Sequence, residues 1–322
     1  MCENFSTYES IRNWKNSYIL QYQTDTDKLN QFHDEVMKHV LCIALKRMAP
    51  LKPPCNFTWF ITGSGGRFEQ GLLSDQDHGI VYVDSSDETQ AYFLELGKEI
   101  SHGMYEVGYP FCEGKVMSSN RIWCKSESEW KEQLTCWMEE GTWEAIRYLQ
   151  IFYDARCLIG YEQSLHDLKV FIYEHQKNDN KLLQRFMENI MFVKRVIGPF
   201  GQIIVEEKGG YEGSIDIKQT AFIPYVNAIR LLAIKEGLLV TSTLERIDTL
   251  IEKKGYPSEL RKYQDNFLKL LQIRNTSYLS GTSYEESHYL SVKGLEKARK
   301  KELKKILKDG KKIHQFVRDC IS

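Results

Sequence analysis

Two apolar runs, Phe57-Thr58-Trp59-Phe60-Ile61-Thr62 and Gly79-Ile80-Val81-Tyr82-Val83, are joined by Gly63-Ser64-Gly65-Gly66, the stretch Arg67 to Leu73, and Ser74-Asp75-Gln76-Asp77-His78. Runs of β-branched and aromatic residues this short read as buried strands, and the glycine cluster between them reads as a turn. Arg67 to Leu73 is long enough for a short helix. The pattern therefore predicts strand, turn, short helix, acidic segment and strand within 27 residues, which places a Gly-Ser turn and two carboxylates at one end of one sheet. That juxtaposition restricts the surrounding architecture to an α/β arrangement.

The acids and the turn make chemical sense together. Two carboxylates at i and i+2 of an extended chain point to the same side, so Asp75 and Asp77 can share divalent cations, and without a cation they repel. A Gly-Ser turn that opens into a helix offers backbone N–H groups and a hydroxyl to phosphate oxygens. Mg²⁺ favours carboxylate and phosphate oxygens, and ions ~3.5–4 Å apart can serve both the attacking and the leaving oxygen of a phosphoryl displacement. Other phosphate and metal motifs fail at named positions. Gly66 is followed by Arg67-Phe68 rather than Lys-Ser/Thr, position 68 is not glycine as a dinucleotide loop requires, and Gly79 occupies the third ligand position of a calcium loop.

The flanking sequence supplies the frame. Leu29, Phe32, Val36, Val40, Leu41, Ala44 and Met48 recur at helical period before Pro53-Pro54. Ser85 with Glu88, and Ser126 with Glu129, are capping-box signals for two further helices, and Phe111 to Met117 is expected to be a third strand. From Trp143 onward helical patterns dominate, over 143–152, 162–176, 181–206, 217–236, 243–253, 258–279 and 291–319, with Gly237 and Gly255 at expected C-caps. The expected organisation is an N-terminal extension over 1–29, an α/β (α+β) domain with a small mixed sheet over 30–142, and an α-helical bundle domain over 143–322. A ligand would be expected between two such domains.

Composition bears on partners. Lys+Arg 43 against Asp+Glu 44 leaves no cationic surplus for neutralising a phosphate backbone, so nucleic acid is not expected as a partner. The first residues lack a basic region followed by an apolar one, and no apolar run approaches the ~18–20 residues of a membrane span. The eight cysteines form no C-x-x-C pair and read as reduced thiols of a cytoplasmic protein.

The pattern G-S-x-G-R-x-E-x-x-L-x-S-D-x-D is filled by Gly63, Ser64, Gly66, Arg67, Glu69, Leu72, Ser74, Asp75 and Asp77. It resembles the bacterial signal-transduction nucleotidyltransferases of the DNA polymerase β superfamily, often linked to cyclic-nucleotide-binding and CBS domains. The resemblance continues through Cys112 to Trp123, through Phe152-Tyr153-Asp154-Ala155-Arg156 and Gly160, and through Asp216-Ile217-Lys218 and Ala228 to Ala233, so that it spans about residues 30 to 320. More distantly the chain is similar to PII uridylyltransferase and the glutamine synthetase adenylyltransferase.

The resemblance implies a nucleotidyltransferase with a nucleotidyltransferase domain over 30–142. It would move an NMP from an NTP to a hydroxyl acceptor, a regulatory protein or a small molecule, with release of pyrophosphate. Asp75 and Asp77 would hold Mg²⁺ or Mn²⁺, two ions being expected, and Gly63 and Ser64 would contact the triphosphate. A third carboxylate is expected from either Glu113 or Asp154, as ion ligand or as general base. Arg67 is a candidate phosphate ligand or, alternatively, a structural partner of Glu69 or Asp75. Lys218 is a second nucleotide-binding candidate, and His78 reads as a hydrogen-bonded strand residue. A catalytically silent nucleotide-binding signalling module is the alternative to the enzyme.

Overall fold

The computed structural model describes residues 5–277 and 283–321, and the chain divides into two compact units, Met1–Glu174 and His175–Ser322. The first unit opens with α1 (Tyr8–Tyr18) and α2 (Thr26–Arg47). The apolar stripe of α2 is buried at Leu29, Phe32, Val36, Met37, Val40, Leu41, Ile43 and Ala44, and the helix ends a few residues before the prolines. Strand β1 (Phe57–Ile61), the one-turn helix α3 (Gly63–Gly66) and strand β2 (His78–Tyr82) follow. Then come α4 (Asp87–Glu106), β3 (Cys124–Ser126), α5 (Glu127–Glu140), α6 (Trp143–Tyr153), β4 (Arg156–Gly160) and α7 (Glu162–Lys177), whose last turn crosses into the second unit.

The four strands form one mixed sheet in the order β3-β2-β1-β4. β1 runs antiparallel to both β2 and β4, while β3 joins β2 in parallel. All of β2 and four of the five residues of β1 are buried, which explains why both read as continuous apolar runs rather than alternating ones. Gly79 is dictated by packing: a Cβ there would lie 2.3 Å from Phe60 Cζ and 2.5 Å from the Trp123 carbonyl oxygen. Phe60 meets Trp130 and Phe152 edge to face, Trp130 and Phe152 pack tilted against each other, and Trp130 Nε1 donates to the Ile80 carbonyl at 3.0 Å.

Several expected elements shift. Phe111 to Met117 is not a strand: Lys115 N–H donates to the Cys112 carbonyl, and Lys115 sits at φ +53°, so Cys112-Glu113-Gly114-Lys115 is a turn. The third strand is instead Cys124–Ser126, too short for its period to be legible. The helical turn falls on Gly63–Gly66 rather than Arg67–Leu73, because Phe68 at φ +57° ends it. The sheet also gains β4 after residue 143, where only helices are expected. The first long helix after β2 is capped by Ser86, which accepts from Thr89 N, rather than by Ser85 with Glu88. Cys42 is disulfide-bonded, contrary to an all-thiol reading; Cys55, Cys112, Cys124, Cys136, Cys157 and Cys320 are free, and Cys2 lies outside the described residues.

The second unit is built from α8 (Asn180–Ile190), β5 (Ser214–Asp216), α9 (Ile223–Glu236), α10 (Thr243–Lys254), α11 (Arg261–Thr276), β6 (Tyr289–Ser291) and α12 (Lys297–Ile321). Helix α9 is apolar nearly all round and forms the centre, with α8, α10 and α12 packed on it. Tyr225 Oη donates to the Ile306 carbonyl at 2.8 Å and fixes α12 against it. Gly237 and Gly255 adopt the left-handed C-cap conformation at φ +67° and +70°. The expected helix over 181–206 stops at Ile190, and beyond it Ile197 bridges Ile203 across Gly198-Pro199. Of the helix expected over 258–279, residues 278 and 279 lie outside the described residues. Among the described residues no helix is long and apolar enough to cross a membrane.

The capping box of α5 is present as read: Ser126 Oγ accepts from Glu129 N, and Glu129 Oε2 accepts from Ser126 N at 3.0 Å. Because this cap also ends β3, Ser126→Ala is expected to destabilise the first unit by about 1 kcal/mol, seen as a lower thermal midpoint.

Candidate active site

The site grows from the end of β1. Thr62 N–H donates to the Asp77 carbonyl at 2.9 Å, tying the acidic segment back to the strand that precedes the turn. Gly63 then turns the chain at φ +57°, and a Cβ on it would lie 2.1 Å from Asp77 Oδ2. Glycine is required twice over, by the left-handed backbone and by the carboxylate resting against it. The turn and the second acid are therefore one packed unit. Ser64 is half-buried, and its hydroxyl has no hydrogen-bond partner among the described residues.

One carboxylate oxygen of Asp75, one of Asp77 and Cys112 Sγ all lie within 4.8 Å of one another. Each residue is half-buried. Cys112 arrives there because the segment around its turn runs beside the acids: Gln76 N donates to the Pro110 carbonyl at 3.2 Å and His78 N to the Val116 carbonyl at 3.1 Å. Burial, then the charge of Asp77 and a hydrogen bond to it, hold the Cys112 thiol far above its usual range, so it is a protonated donor to that carboxylate. Gln70 closes the inner side. Its Nε2 donates to Ser74 Oγ at 3.1 Å, while Oε1 is buried without a hydrogen-bond partner among the described residues, in a small cavity lined also by Ser64, Asp75 and Asp77. Two converging carboxylates fit a hard divalent cation, with the Cys112 sulfur as the third clustered ligand atom and the unpaired Gln70 amide oxygen lining the same cavity.

The remaining candidates are placed differently. Arg67 is buried, its Nε 2.7 Å from Glu69 Oε2 and its Nη1 2.7 Å from Asp154 Oδ2. Burial opposes its charge, but the two carboxylates outweigh that and keep the guanidinium protonated. Asp154 is fully buried in this pair, at the C-cap of α6, and is not among the three clustered ligands. Glu113 is exposed at the tip of the Cys112–Lys115 turn and is outside that cluster too. Lys218 belongs to the second unit, where Nζ donates to Tyr284 Oη at 3.1 Å and lies 3.4 Å from His288 Nε2.

Sequence reasoning missed Cys112, although it is the immediate neighbour of Glu113 in the same quoted stretch. It also missed Arg156, which reaches the turn from β4. The side chain donates from Nε to the Gly65 carbonyl at 3.0 Å, pairs with both oxygens of Asp34 at 2.9 and 2.6 Å, and lies over the Phe68 ring at 3.8 Å.

The acid pair and glycine turn at the end of a small mixed sheet define a nucleotidyltransferase-like unit followed by a helical one. Residues 20–144 match the family described as "Putative nucleotidyltransferase DUF294", and residues 180–320 match "Putative nucleotidyltransferase substrate binding domain". The chain belongs to this nucleotidyltransferase family. No curated protein matches it.

His78, directly after the acids, is fully buried between Gln76 Oε1 on Nε2 and the Ser118 N–H on Nδ1. Burial pushes its pKa down to about 3. Unfolded, the same imidazole protonates near pH 6.5, so between those values the unfolded chain binds the extra proton. Stability is therefore expected to fall as pH drops from about 6.5 toward 3, and His78→Gln should flatten that part of a melting-temperature profile.

Proposed function

We propose that this protein transfers a nucleoside monophosphate from an NTP to a hydroxyl acceptor and releases pyrophosphate, with Mg²⁺ or Mn²⁺ held at Asp75 and Asp77. The single observation that carries the reading is the contact of the Asp77 carboxylate with Gly63, which joins the cation ligands to the phosphate-facing turn. The family match supports the same class of reaction. Bound there, two divalent ions would offset charge on the triphosphate and on the entering oxygen.

The chain's own groups account for the rest. The Ser64 hydroxyl and the backbone of the Gly63–Gly66 turn donate to phosphate oxygens, and Asp75 and Asp77 orient the cation toward them. The acceptor oxygen bonds to the α-phosphorus as the bond to the bridging oxygen breaks, the acceptor proton passes to solvent, and pyrophosphate leaves. Arg67 is held between Glu69 and Asp154, and this reading gives none of the three a part in proton transfer. A protein side chain and a small hydroxylated molecule both fit the acceptor role.

One observation favours a second reading, a nucleotide-binding signalling module without turnover. Among the described residues, the third member of the acid cluster is a thiol, Cys112, where a third carboxylate would strengthen the case for catalysis.

A double variant tests the assignment of the acids, and the unaltered protein separates the two readings. Asp75→Asn with Asp77→Asn is expected to remain folded and to lose Mg²⁺-dependent pyrophosphate release from NTP by at least about a hundredfold. Turnover equal to that of the unaltered protein would refute the assignment. Nucleotide binding without pyrophosphate release by the unaltered protein, across protein and small-molecule acceptors, would select the silent module.

A further inference from the structure

We propose that Arg156 and Asp154, which bracket the start of β4, are positioning residues that set the Asp77 carboxylate by clamping the turn it rests on. The inference rests on the reading of Asp75 and Asp77 as cation ligands.

The clamp grips the turn at four points. Arg156 Nε donates to the Gly65 carbonyl at 3.0 Å. Its guanidinium plane covers the ring of Phe68, the residue held at φ +57° where the turn ends. Asp154 Oδ2 accepts from Arg67 Nη1 at 2.7 Å. The backbone itself is in contact as well, since a Cβ on Gly66 would lie 2.1 Å from the Asp154 carbonyl oxygen. Every residue of the turn from Gly65 to Phe68 thus touches Asp154 or Arg156. Arg156 is itself fixed by a two-pronged pair with Asp34 on α2, so its fork is held before any ligand arrives.

What the clamp positions follows from Gly63. The left-handed turn leaves the Gly63 Cα face to Asp77 Oδ2, so a displacement of the turn by a few tenths of an ångström moves the carboxylate or opens a gap behind it. Neither Asp154 nor Arg156 is among the clustered ligand atoms. Their influence on a cation is therefore indirect, and it should appear in affinity rather than in fold. The planar fork matters at 156: lysine would keep the charge facing Asp34 but cannot hold Gly65 and cover Phe68 at the same time.

The test uses the full chain with Mn²⁺ as the probe, read by electron paramagnetic resonance, beside thermal melts and NTP-dependent pyrophosphate release. Arg156→Lys is expected to keep a thermal midpoint close to that of the parent while Mn²⁺ affinity falls about tenfold, the scale on which groups supporting metal ligands act. Asp154→Asn should weaken Mn²⁺ in the same direction. Ser126→Ala serves as a control that lowers stability at a distance from the turn and leaves Mn²⁺ affinity unchanged. If Asp154→Asn does not fold, Arg156→Lys decides alone. Folded variants with parental Mn²⁺ affinity would overturn the clamp while leaving the catalytic reading standing. A parent chain that binds Mn²⁺ but releases no pyrophosphate would overturn the catalytic reading, and the clamp would still be judged on affinity. A parent chain that binds no Mn²⁺ would overturn the clamp.

Discussion

A buried guanidinium is tolerable only where carboxylates meet it, and Arg67 meets two. Taking such a charge out of water costs several kcal/mol unless partners with good geometry restore the lost hydration. Glu69 and Asp154 do so at 2.7 Å each, one from the same turn and one from the far end of α6. The pair is thereby both a constraint and a choice. It joins the β1–β2 segment to the entry of β4, and it turns the Asp154 carboxylate toward Arg67. Breaking one side alone would leave an uncompensated charge inside the unit, so the three residues stand or fall together.

The second constraint follows from the first. With the turn fixed through Arg67, Gly63 can offer its bare Cα face to Asp77, and Asp77 can lie against backbone rather than drift into solvent. Asp75 then has no alternative but to share the space on the outer side, since Ser74 and Gln76 are both buried: Gln70 bonds the Ser74 hydroxyl, and Gln76 Nε2 donates to the carbonyls of Ser101 and Tyr109. The two carboxylates are kept close by their neighbours, Cys112 hydrogen-bonds to Asp77, and a cation between them would be favoured.

Much of this was legible because it is local. Glycine at 63, acids at i and i+2, and two short apolar runs each specify their conformation within a few residues, so the strand-turn-strand frame and the convergence of the acids could be read directly. The capping box at Ser126 and the C-cap glycines at 237 and 255 belong to the same class of signal. The departures concern partners distant in sequence or elements too brief to show a period. Arg67 and Asp154 are 87 residues apart, and nothing in the spacing of either says that they meet. Assigning Asp154 to the cation treats a buried charge as available, when burial had already assigned it to Arg67. Strands of three residues, such as β3 and β5, present no alternation to detect. Cys112 was hidden differently, because a thiol in an apolar context reads as core until the fold sets an acid beside it.

The distribution of buried polarity points to the same end of the sheet. Arg67, Glu69, Gln70, Ser74, Gln76, His78 and Asp154 are all less than a tenth exposed, and all but one fall within a single twelve-residue stretch. Elsewhere the sheet packs on Trp, Phe and Tyr, which bury large apolar area and carry at most one polar group each, as where Trp130 Nε1 donates to the Ile80 carbonyl. A fold selected only for stability would fill this region the same way, because a satisfied polar network at best matches apolar packing of the same volume. What a polar network supplies and an apolar core does not is fixed direction: each donor and acceptor restricts its neighbour to one geometry. Such a concentration makes sense where direction has value, and the groups it directs are Gly63, Asp75 and Asp77. Local sequence rules are broken here too, by Phe68 in the left-handed region and by two acids side by side, as expected where placement of a ligand outweighs ease of folding.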